Sequence, residues 1–375
     1  MRIGINGFEA VIPRFGFDEK TGLPNRVGSS EVCFQLLSEL YKIDKTNEYI
    51  IFLPTSPTKD MPEERPGWRY EIIPNKKLWT ITGLTPNVLK KTAIDVLFSP
   101  THYSPIFTPI PEVISILDVS YKYFPELFKK QDLLKLSIWG KYSIKKAAAI
   151  VTISESSKND IIKEYQVPEA KIAVLHLGIK DLQKSSMTKS EFIKKYNIEK
   201  PYVLFVGTLQ PRKNLVRLIH AFSKIDDDYE LIIIGRRGWD YEDILTAPAK
   251  FGVGSRVRFL EGVNDSELAL FYENAEVFVL PSLYEGFGLP VLEAMRYGCP
   301  VVTSNISSLP EAGGDAALYF DPEDPDDIAS IINKVLKDKK LRDKMIKEGH
   351  NQVKKFSWEK AAKEALSVFE SIAKN

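Results

Sequence analysis

Cysteine is scarce in this sequence, and neither sign of charge is in excess. The 375 residues include only two cysteines, Cys33 and Cys299, with no CxxC pair, which argues against a disulfide framework or a cysteine-built metal site and favours a reducing compartment. The 51 basic residues balance 50 acidic ones, so nucleic acid is not an expected partner. No apolar run approaches the ~20 residues of a membrane span, and no signal peptide precedes the first strand. We therefore expect a cytoplasmic protein.

The sequence alternates short apolar runs with segments of helical periodicity. The runs are rich in β-branched residues and lack period-two alternation, as expected of strands covered on both faces. Strands that alternate with helices predict parallel sheets of the α/β class. Helical periodicity is clearest at 29–42, 214–222 and 266–274. The expected strands are 49–53, 94–98, 113–117, 149–153, 171–175, 202–206, 230–234, 257–260, 277–280, 300–303 and 317–320.

A polar, lysine-rich segment divides these runs into two groups. Residues 181–200 contain no long apolar run, and we interpret them as a linker with a short helix. The sequence thus predicts a Rossmann-like domain at 1–180 and a second at 201–356, each with a doubly wound sheet. Two such domains facing across a cleft would direct strand ends and helix N-termini toward a shared ligand site.

The strongest motif lies in the second half, in the segment LPSLYEGFGLPVLEAMRYGCPVV (280–302). A strand ends there, and a glycine-rich turn feeds a helix. Gly286 and Gly288 let the backbone approach a ligand closely, and the N–H groups of a helix start attract oxygens. Glu285 and Glu293, eight residues apart, add carboxylates that suit the hydroxyls of a sugar or a ribose. A tight loop with solvated glutamates is the alternative.

A second turn of this kind occurs in YVLFVGTLQPRKNLVRLIHAF. A buried strand ends at Gly207, and Arg212 and Lys213 stand just before the next helix. Two adjacent cations at a strand-to-helix turn suit a diphosphate, because the arginine guanidinium can donate two parallel hydrogen bonds to a phosphate and the lysine ammonium acts as a point charge. Alone, this pair is more typical of a solvated helix start. Two such turns in one domain predict a ligand site.

These motifs, in this order, resemble the retaining glycosyltransferases of GT-B fold in family 4, which are also called group 1. The segments that carry the resemblance are GTLQPRKN, EGFGLPVLEA and GCPVVTSNISSLPEAGGDAALYFDP, and it extends over nearly the whole chain. FSWEKAAKEAL is similar to the closing helix of that family. The resemblance therefore implies that residues 357–375 cross back to the first domain.

The resemblance also implies a nucleotide-sugar donor, held mainly by the second domain without a metal or another cofactor. Arg212 and Lys213 would neutralise the diphosphate, Glu293 would bind the ribose, and the loop with Val263 would face the base. Glu285 would hold the sugar and the distal phosphate. The implied donor-binding set also includes Gly207, Gly286, Phe287, Gly288 and Leu289, and the implied catalytic set is Arg212, Lys213, Glu285 and Asp118.

One position departs from the family pattern. The family carries His-Asp at the end of a strand in its first domain, whereas ISILDVSYKYFPE (114–126) has Leu117 followed by Asp118. Leucine cannot donate a hydrogen bond to a sugar hydroxyl, so either another residue supplies this contact or the activity is reduced or altered. His102 is the nearest candidate in the sequence, and an ordinary loop histidine is the alternative.

The opening segment MRIGINGFEA suggests a dinucleotide site at first sight. That fingerprint requires glycines where Glu9 and Ile12 stand. We therefore interpret Gly7 as the bend that releases a loop on the acceptor side, and we expect the nearest helix to begin after Gly28. The resemblance places Gly28 at the start of the first helix of the family.

The favoured activity is transfer of mannose from GDP-mannose to a hydroxyl of a glycan or a lipid-linked acceptor, with retention of the anomeric configuration. UDP-glucose and UDP-N-acetylglucosamine are the next donors. From Lys122 to Lys146, seven lysines and two acidic residues are interleaved with apolar positions. Such a stretch can rest peripherally on an anionic membrane, and an ordinary solvated lysine face is the alternative.

Three other functions remain open from the sequence. A non-catalytic nucleotide-sugar-binding protein, or one of altered activity, is favoured only by Leu117. An epimerase or a phosphorylase would share the architecture, and a phosphorylase would add a pyridoxal lysine. An NAD oxidoreductase would need the full glycine fingerprint that the first strand lacks.

Overall fold

Two parallel sheets organise the chain. The computed structural model describes residues 1–12, 16–17, 21–74, 77–90, 93–180, 182 and 185–374. The chain divides into unit 1, which comprises Met1–Gly178 and Ser357–Asn375, and unit 2, which comprises Ile179–Phe356. Within the described residues, unit 1 has a seven-stranded sheet and unit 2 a six-stranded one. No helix of the described residues is both long and apolar enough to cross a membrane.

In the described part of unit 1, helices follow β1, β3, β5 and β6, whereas loops join β2 to β3 and β4 to β5. Its strands lie in the order β3-β2-β1-β4-β5-β6-β7, and all neighbouring strands are parallel. The elements are β1 (Arg2–Asn6), α1 (Phe8–Val11), α2 (Ser29–Ile43), β2 (Glu48–Leu53), β3 (Trp68–Ile72), α3 (Thr85–Lys90), β4 (Val96–Ser99), β5 (Glu112–Ser115), α4 (Ser120–Tyr123), α5 (Lys130–Lys135), α6 (Lys141–Lys146), β6 (Ala149–Thr152), α7 (Glu155–Tyr165) and β7 (Ile172–Val174). Two π-helical turns, Thr80–Leu84 and Leu136–Gly140, precede α3 and α6.

The strand order of unit 1 reverses between β1 and β4. Ile3 pairs with Tyr49 of β2 on one side and with Val96 of β4 on the other. In an open parallel sheet, the crevice at the carboxyl ends of such strands is where ligands bind. The segments after β1, β4 and β5 therefore lie at the edge of unit 1 that is suited to a site.

A helix from the far end of the chain completes the core of unit 1. Helix α16 (Trp358–Ala373) packs against α2 and β4. Phe369 is fully buried, and its ring centroid lies 5.0 Å from that of Phe98. Gly178 is required at the junction, because a Cβ there would lie 2.2 Å from the backbone nitrogen of Trp358.

Unit 2 has the strand order β10-β9-β8-β11-β12-β13, again with parallel neighbours. This order reverses between β8 and β11, so the loops after these two strands lie at the preferred ligand position. The elements are α8 (Lys189–Tyr196), β8 (Tyr202–Val206), α9 (Leu215–Phe222), β9 (Glu230–Ile234), α10 (Glu242–Lys250), β10 (Val257–Leu260), α11 (Asp265–Asn274), β11 (Val277–Leu280), α12 (Leu289–Arg296), β12 (Val301–Ser304), α13 (Leu309–Gly313), β13 (Ala317–Phe320), α14 (Pro325–Lys337) and α15 (Lys339–Val353).

The predicted α/β class with two doubly wound parallel sheets is confirmed. The expectation that no helix precedes Gly28 is wrong, because α1 begins directly after Gly7. Asn6 Oδ1 accepts a hydrogen bond from the Phe8 N–H at 3.2 Å, and the Ala10 N–H donates to the Gly7 carbonyl at 3.1 Å. These two bonds close a short helical turn where a loop was expected. Between α1 and Gly28, where the loop was expected, residues 13–15 and 18–20 lie outside the described residues.

The segment 181–200, interpreted as a linker with a short helix, contains α8. Thr188 and Glu191 form a capping box at its start, which satisfies two backbone N–H groups reciprocally. Phe192 is fully buried and lies edge-on to Phe271 at 4.8 Å between ring centroids. Helix α8 is therefore a packed part of unit 2. Residues 181, 183 and 184 lie outside the described residues.

Candidate functional site

The two ligand-type turns of unit 2 are joined by hydrogen bonds. The turn after β8 forms a 3-10 turn, Pro211–Lys213, and ends at Asn214 in the left-handed region, with φ +59°. The Leu283 N–H in the turn after β11 donates to the Arg212 carbonyl at 2.9 Å. Asn214 Nδ2 donates to the carbonyls of Pro281 at 3.0 Å and Pro322 at 2.7 Å. Buried Asn214 thus fixes the cationic turn to the ends of two other strands.

The hydrogen bonds between the two turns bring Arg212, Lys213 and Glu285 together, and we call these three residues the charge cluster. Lys213 Nζ lies 2.5 Å from Glu285 Oε1, and Arg212 Nη1 lies 3.1 Å from Glu285 Oε2. Ser282 Oγ donates to Glu285 Oε1 at 2.6 Å, and Arg212 also donates to the Tyr284 carbonyl. Lys213 and Glu285 are each only 8% exposed. The cluster carries two positive charges and one negative charge in a setting with little solvent.

The carboxyl of Glu285 is held in its ionised form. Burial by itself raises the pKa of Glu285, but the charges of Lys213 and Arg212 and the hydrogen bonds from Lys213 and Ser282 outweigh burial and lower the pKa to about 2. An ionised carboxylate accepts hydrogen bonds and donates none. Glu285 can therefore bind hydroxyl groups near neutral pH, but it cannot supply a proton.

The glycine-rich turn leads from Glu285 into the N-terminus of α12. Gly288 has φ +101°, and a Cβ there would lie 2.9 Å from Leu309 Cδ2, so a side chain is excluded by conformation and by space. Gly286 and Phe287 are buried, and Leu289 is half-buried. No side chain of the described residues caps α12. Its first N–H groups can therefore meet the oxygens of an anionic ligand.

Glu293 lies on α12, one turn beyond its start. Tyr272 Oη donates to Glu293 Oε2 at 3.1 Å. Burial raises the pKa of Tyr272, and the neighbouring Glu293 carboxylate raises it further, so the phenol remains a donor. Tyr272 orients the half-buried carboxylate of Glu293, a group whose oxygens suit the hydroxyls of a diol.

Two further predicted residues border this edge of the sheet. Gly207 follows β8, and a Cβ on it would lie 3.7 Å from Lys213 Cε, so Gly207 lies next to the lysine stem. Val263 follows β10, which is two strands from β8, or ~10 Å at the usual spacing. The neighbouring Glu261 accepts a hydrogen bond from Arg237 Nε at 2.8 Å. The loop with Val263 is thus set apart from the charge cluster but on the same edge.

Sequence reasoning missed the serines that hold the glutamate turn. Ser307 Oγ accepts from the Glu285 N–H at 3.0 Å, and Ser308 Oγ donates to the Glu285 carbonyl at 2.8 Å. Ser307 has φ +50°, a conformation that serine seldom adopts. The signal that could have found them is the pair Ser307-Ser308 shortly after a buried strand, ahead of the Leu309-Pro310 helix start.

In unit 1, Asp118 and His102 lie together at the carboxyl edge of the sheet. His102 Nε2 lies 3.2 Å from the Asp118 carbonyl oxygen. Asp118 Oδ1 accepts from the backbone N–H of Ser120 at 2.9 Å and from its hydroxyl at 2.6 Å, as a turn-forming aspartate does. Leu117 is half-buried beside it. The histidine that was nearest in sequence to the Leu117–Asp118 pair is therefore also near in space.

Gly7 and Gly28 both lie near this edge of unit 1. A Cβ on Gly7 would lie 2.6 Å from Leu53 Cδ2, so close packing against β2 requires the glycine. Gly28 has φ +57° and precedes α2, which no side chain in the described part of the chain caps. Ser29 Oγ donates to Glu9 Oε2 at 3.1 Å, which ties the start of α2 to α1. Neither glycine lies in the charge cluster of unit 2.

Two family models match the chain. "Glycosyl transferases group 1" matches residues 187–352, and "Glycosyltransferase Family 4" matches residues 28–181. The O-antigen chain mannosyltransferase B of Escherichia coli is 35% identical over 268 residues, which are 69% of this chain and 70% of that protein.

Solved structures share the fold over almost the full length. A sucrose-phosphate synthase from Thermosynechococcus elongatus has a TM-score of 0.73 at 18% identity and covers 99% of both chains. Anabaena HepE in complex with UDP-glucose has a TM-score of 0.72 at 18% identity, and the match covers 99% of this chain and 100% of that one. The chain therefore belongs to the group 1, family 4 glycosyltransferases, it has their GT-B fold of two parallel-sheet α/β domains, and it is a glycosyltransferase.

Proposed function

We propose that this enzyme transfers mannose from GDP-mannose to a hydroxyl of a glycan or a lipid-linked acceptor, with retention of configuration and without a metal. The buried cluster of Arg212, Lys213 and Glu285 at the strand-order reversal of unit 2 carries the proposal. The mannosyltransferase relative supports the choice of sugar.

The charge cluster and α12 would bind the diphosphate. Two cations and one carboxylate give the cluster a net positive charge, and the uncapped N-terminus of α12 adds to it. In the transfer step the bond between the sugar C1 and the distal phosphate oxygen breaks, and C1 bonds to the acceptor oxygen. The acceptor proton passes to the departing diphosphate. Arg212 and Lys213 would stabilise the charge that develops on this leaving group, which is the electrostatic role that a metal fills elsewhere.

Glu285 would contact the transferred sugar. Its carboxylate is ionised and can accept hydrogen bonds from sugar hydroxyls. The positive charge that develops on the sugar in the transition state would also lie near this carboxylate. Glu293, oriented by Tyr272, would accept the hydroxyls of the ribose. The backbone N–H groups of Phe287, Gly288 and Leu289 would meet phosphate oxygens.

The loop with Val263 would contact the base. Strand β10, which precedes this loop, lies two strand spacings or ~10 Å from β8, and such a spacing suits a base attached through a ribose to a diphosphate at the charge cluster. The mannosyltransferase relative favours mannose as the sugar, and GDP-mannose is the donor that we propose for it. The UDP-glucose of Anabaena HepE makes uridine donors the comparison that the experiment must include.

The acceptor would be bound by unit 1. His102, 3.2 Å from the Asp118 carbonyl, is our candidate for the sugar contact that Leu117 cannot make. Leu117 also favours a second candidate function, a nucleotide-sugar-binding protein of low or altered activity. That protein would bind donors normally and transfer little or no sugar to the acceptor of the proposed reaction.

A donor panel tests the proposal. Thermal unfolding is followed with GDP-mannose, UDP-glucose, UDP-N-acetylglucosamine, ADP-glucose, the free nucleotides and NAD, and products are then analysed with the donor that stabilises the protein most. We expect GDP-mannose to stabilise most, and we expect transfer to continue in the presence of a chelator. NMR of the product should show the anomeric configuration of the donor.

Matched variants separate the two candidate functions. Lys213→Met removes a cation of the charge cluster and should remove donor stabilisation. His102→Phe should retain donor stabilisation and lower only transfer. Stabilisation by NAD alone would contradict the proposal, and donor binding without any transfer would favour the binding protein.

A further inference from the structure

The three most exposed large apolar side chains of the described residues all belong to unit 1. Phe107 is 82% exposed, Ile138 is 65% exposed and Leu134 is 61% exposed. Leu134 and Ile138 lie four residues apart in the helical segment 130–146, which comprises α5, a π-helical turn and α6. Contiguous exposed apolar side chains are uncommon on a soluble surface and typically indicate an interaction site.

Phe107 is held in its exposed position by its surroundings. It adopts φ +57°, which is unfavourable for a bulky side chain. Its N–H donates to Tyr142 Oη at 3.4 Å, which ties it to the helical segment one turn beyond Ile138. Lys146 Nζ donates to the Pro105 carbonyl at 3.1 Å and to Thr108 Oγ1 at 2.7 Å. The loop is therefore fixed on both sides of Phe107, beside the exposed helix.

Exposed lysines accompany these apolar side chains. Lys130 lies one turn before Leu134, and Lys141 and Lys145 follow Ile138 by about one and two turns; all three lysines are exposed. Lys146 is different, because its Nζ lies 2.8 Å from the buried Glu112 carboxylate. We call the following residues the docking face: Phe107, Lys130, Leu134, Ile138, Lys141 and Lys145.

We propose that the docking face rests on the surface of an anionic phospholipid bilayer. Apolar side chains enter the boundary between headgroups and acyl chains, while lysines at the same level attract the lipid phosphates. The charge of the face decides between occupants. A second copy of the chain would bring the lysines of one docking face against those of another, whereas an anionic bilayer complements them.

This proposal deepens the proposed function, because the bilayer is where a lipid-linked acceptor resides. The docking itself needs no donor and no transfer. It extends the expectation for the stretch from Lys122 to Lys146 in two ways. Phe107 lies outside that stretch and belongs to the docking face. Lys146 lies inside the stretch but forms an ion pair with Glu112, so it is not part of the docking face.

Vesicle cosedimentation tests the docking face. The full chain is mixed with vesicles of phosphatidylcholine, with and without phosphatidylglycerol. We expect strong binding only to the vesicles that contain phosphatidylglycerol, and weaker binding as salt rises. Two triple variants are compared with the wild type. One is Phe107→Asn/Leu134→Gln/Ile138→Gln, with asparagine chosen because it tolerates a positive φ, and the other is Lys130→Glu/Lys141→Glu/Lys145→Glu.

The lysine variant should bind at least ~100-fold more weakly, because each lysine near an anionic surface contributes about fivefold. The apolar variant should lose at least ~10-fold, because three side chains no longer enter the interface. Leu89→Gln is the matched control, since Leu89 is an exposed apolar side chain beside Lys90 on another helix of unit 1. Circular dichroism confirms that each variant is folded.

Equal binding to both kinds of vesicle, no binding, or unchanged binding by either triple variant would overturn the docking face. So would light scattering that shows a dimer of the wild type and a monomer of the apolar variant. Stabilisation by GDP is measured on the same samples. A triple variant that loses vesicle binding but is still stabilised by GDP supports the docking face. If GDP does not stabilise the wild type, that result concerns only the proposed function.

Discussion

Removing Lys213 should both weaken donor binding and destabilise unit 2. Neutralising Glu285 should remove the stabilisation that its ionised carboxylate provides, but it should not weaken the binding of GDP. The reason is the geometry of the charge cluster. Glu285 is the negative partner of Lys213 and Arg212 in the structure, and a bound diphosphate would compete with it for the same cations. We therefore consider three variants: Lys213→Met, Glu285→Gln and the double variant.

The magnitude follows from the pKa of Glu285. Its fall from 4.5 to about 2 corresponds to about 3 kcal/mol of stabilisation from ionisation. Breaking one side of a buried pair costs about 3–5 kcal/mol, and the remaining Arg212 places Lys213→Met at the lower end. The double variant should lose less than the sum of the single variants, because its remaining groups leave no unpaired carboxylate.

The pH dependence has a definite sign. Because the folded pKa of Glu285 is below its unfolded value, the stabilisation is complete above about pH 5 and is lost as the pH falls toward 2. Glu285→Gln should remove this acid sensitivity. Hydrogen exchange of peptides from β8 and β11, normalised to intrinsic rates at each pH, measures the free energy of opening in unit 2 alone.

Calorimetry with GDP supplies the second readout. Lys213→Met should weaken GDP binding by about 10- to 100-fold, since a charged hydrogen bond contributes about 1.5–3 kcal/mol. Glu285→Gln should leave GDP binding equal or tighter, and should reduce the additional affinity for GDP-mannose over GDP. The reasoning is refuted if the free energy of opening of unit 2 is the same in Lys213→Met as in the wild type. It is also refuted if Glu285→Gln weakens GDP binding as much as Lys213→Met does.

Substitutions at three positions test other parts of the two units. Glu293→Ala should weaken GDP binding about tenfold in calorimetry, because the ribose contact is lost. Glu293→Gln should keep the fold, because it preserves an acceptor for Tyr272. Equal GDP binding by the wild type and both variants would contradict this role. Gly178→Ala should lower the thermal stability of unit 1 by about 3 kcal/mol, because its Cβ would lie 2.2 Å from the Trp358 nitrogen, and an unchanged melting curve would exclude it. His102→Phe should lower the transfer rate on the order of 100-fold with GDP affinity unchanged, and a normal rate would remove His102 from the site.

The sequence was sufficient to predict the strands that are buried on both faces. The runs 202–206, 230–234 and 277–280 coincide with β8, β9 and β11. Strand β3 was not predicted, because it lies at the edge of its sheet and only Trp68 is buried in it. Its sequence WRYEI therefore contains no apolar run from which a strand could be predicted.

The residues of the charge cluster could be singled out from the sequence, but their pairing could not. Arg212, Lys213 and Glu285 follow from turns at strand ends, yet the ion pair between positions 72 residues apart depends on which strands are neighbours. The same holds for the hydrogen bonds of Ser307 and Ser308 to the glutamate turn. Whether a charge at a turn faces solvent or a counter-charge is a property of the folded sheet.

The return of α16 to unit 1 has a consequence for biosynthesis. During translation, the first 178 residues emerge before any of unit 2, but their sheet lacks the helix that carries Phe369 against Phe98. Unit 2 is a contiguous stretch, so it can fold before that helix is made. The first unit to be synthesised should therefore be the last to complete its core. Until then its uncovered apolar face is a surface that chaperones can recognise.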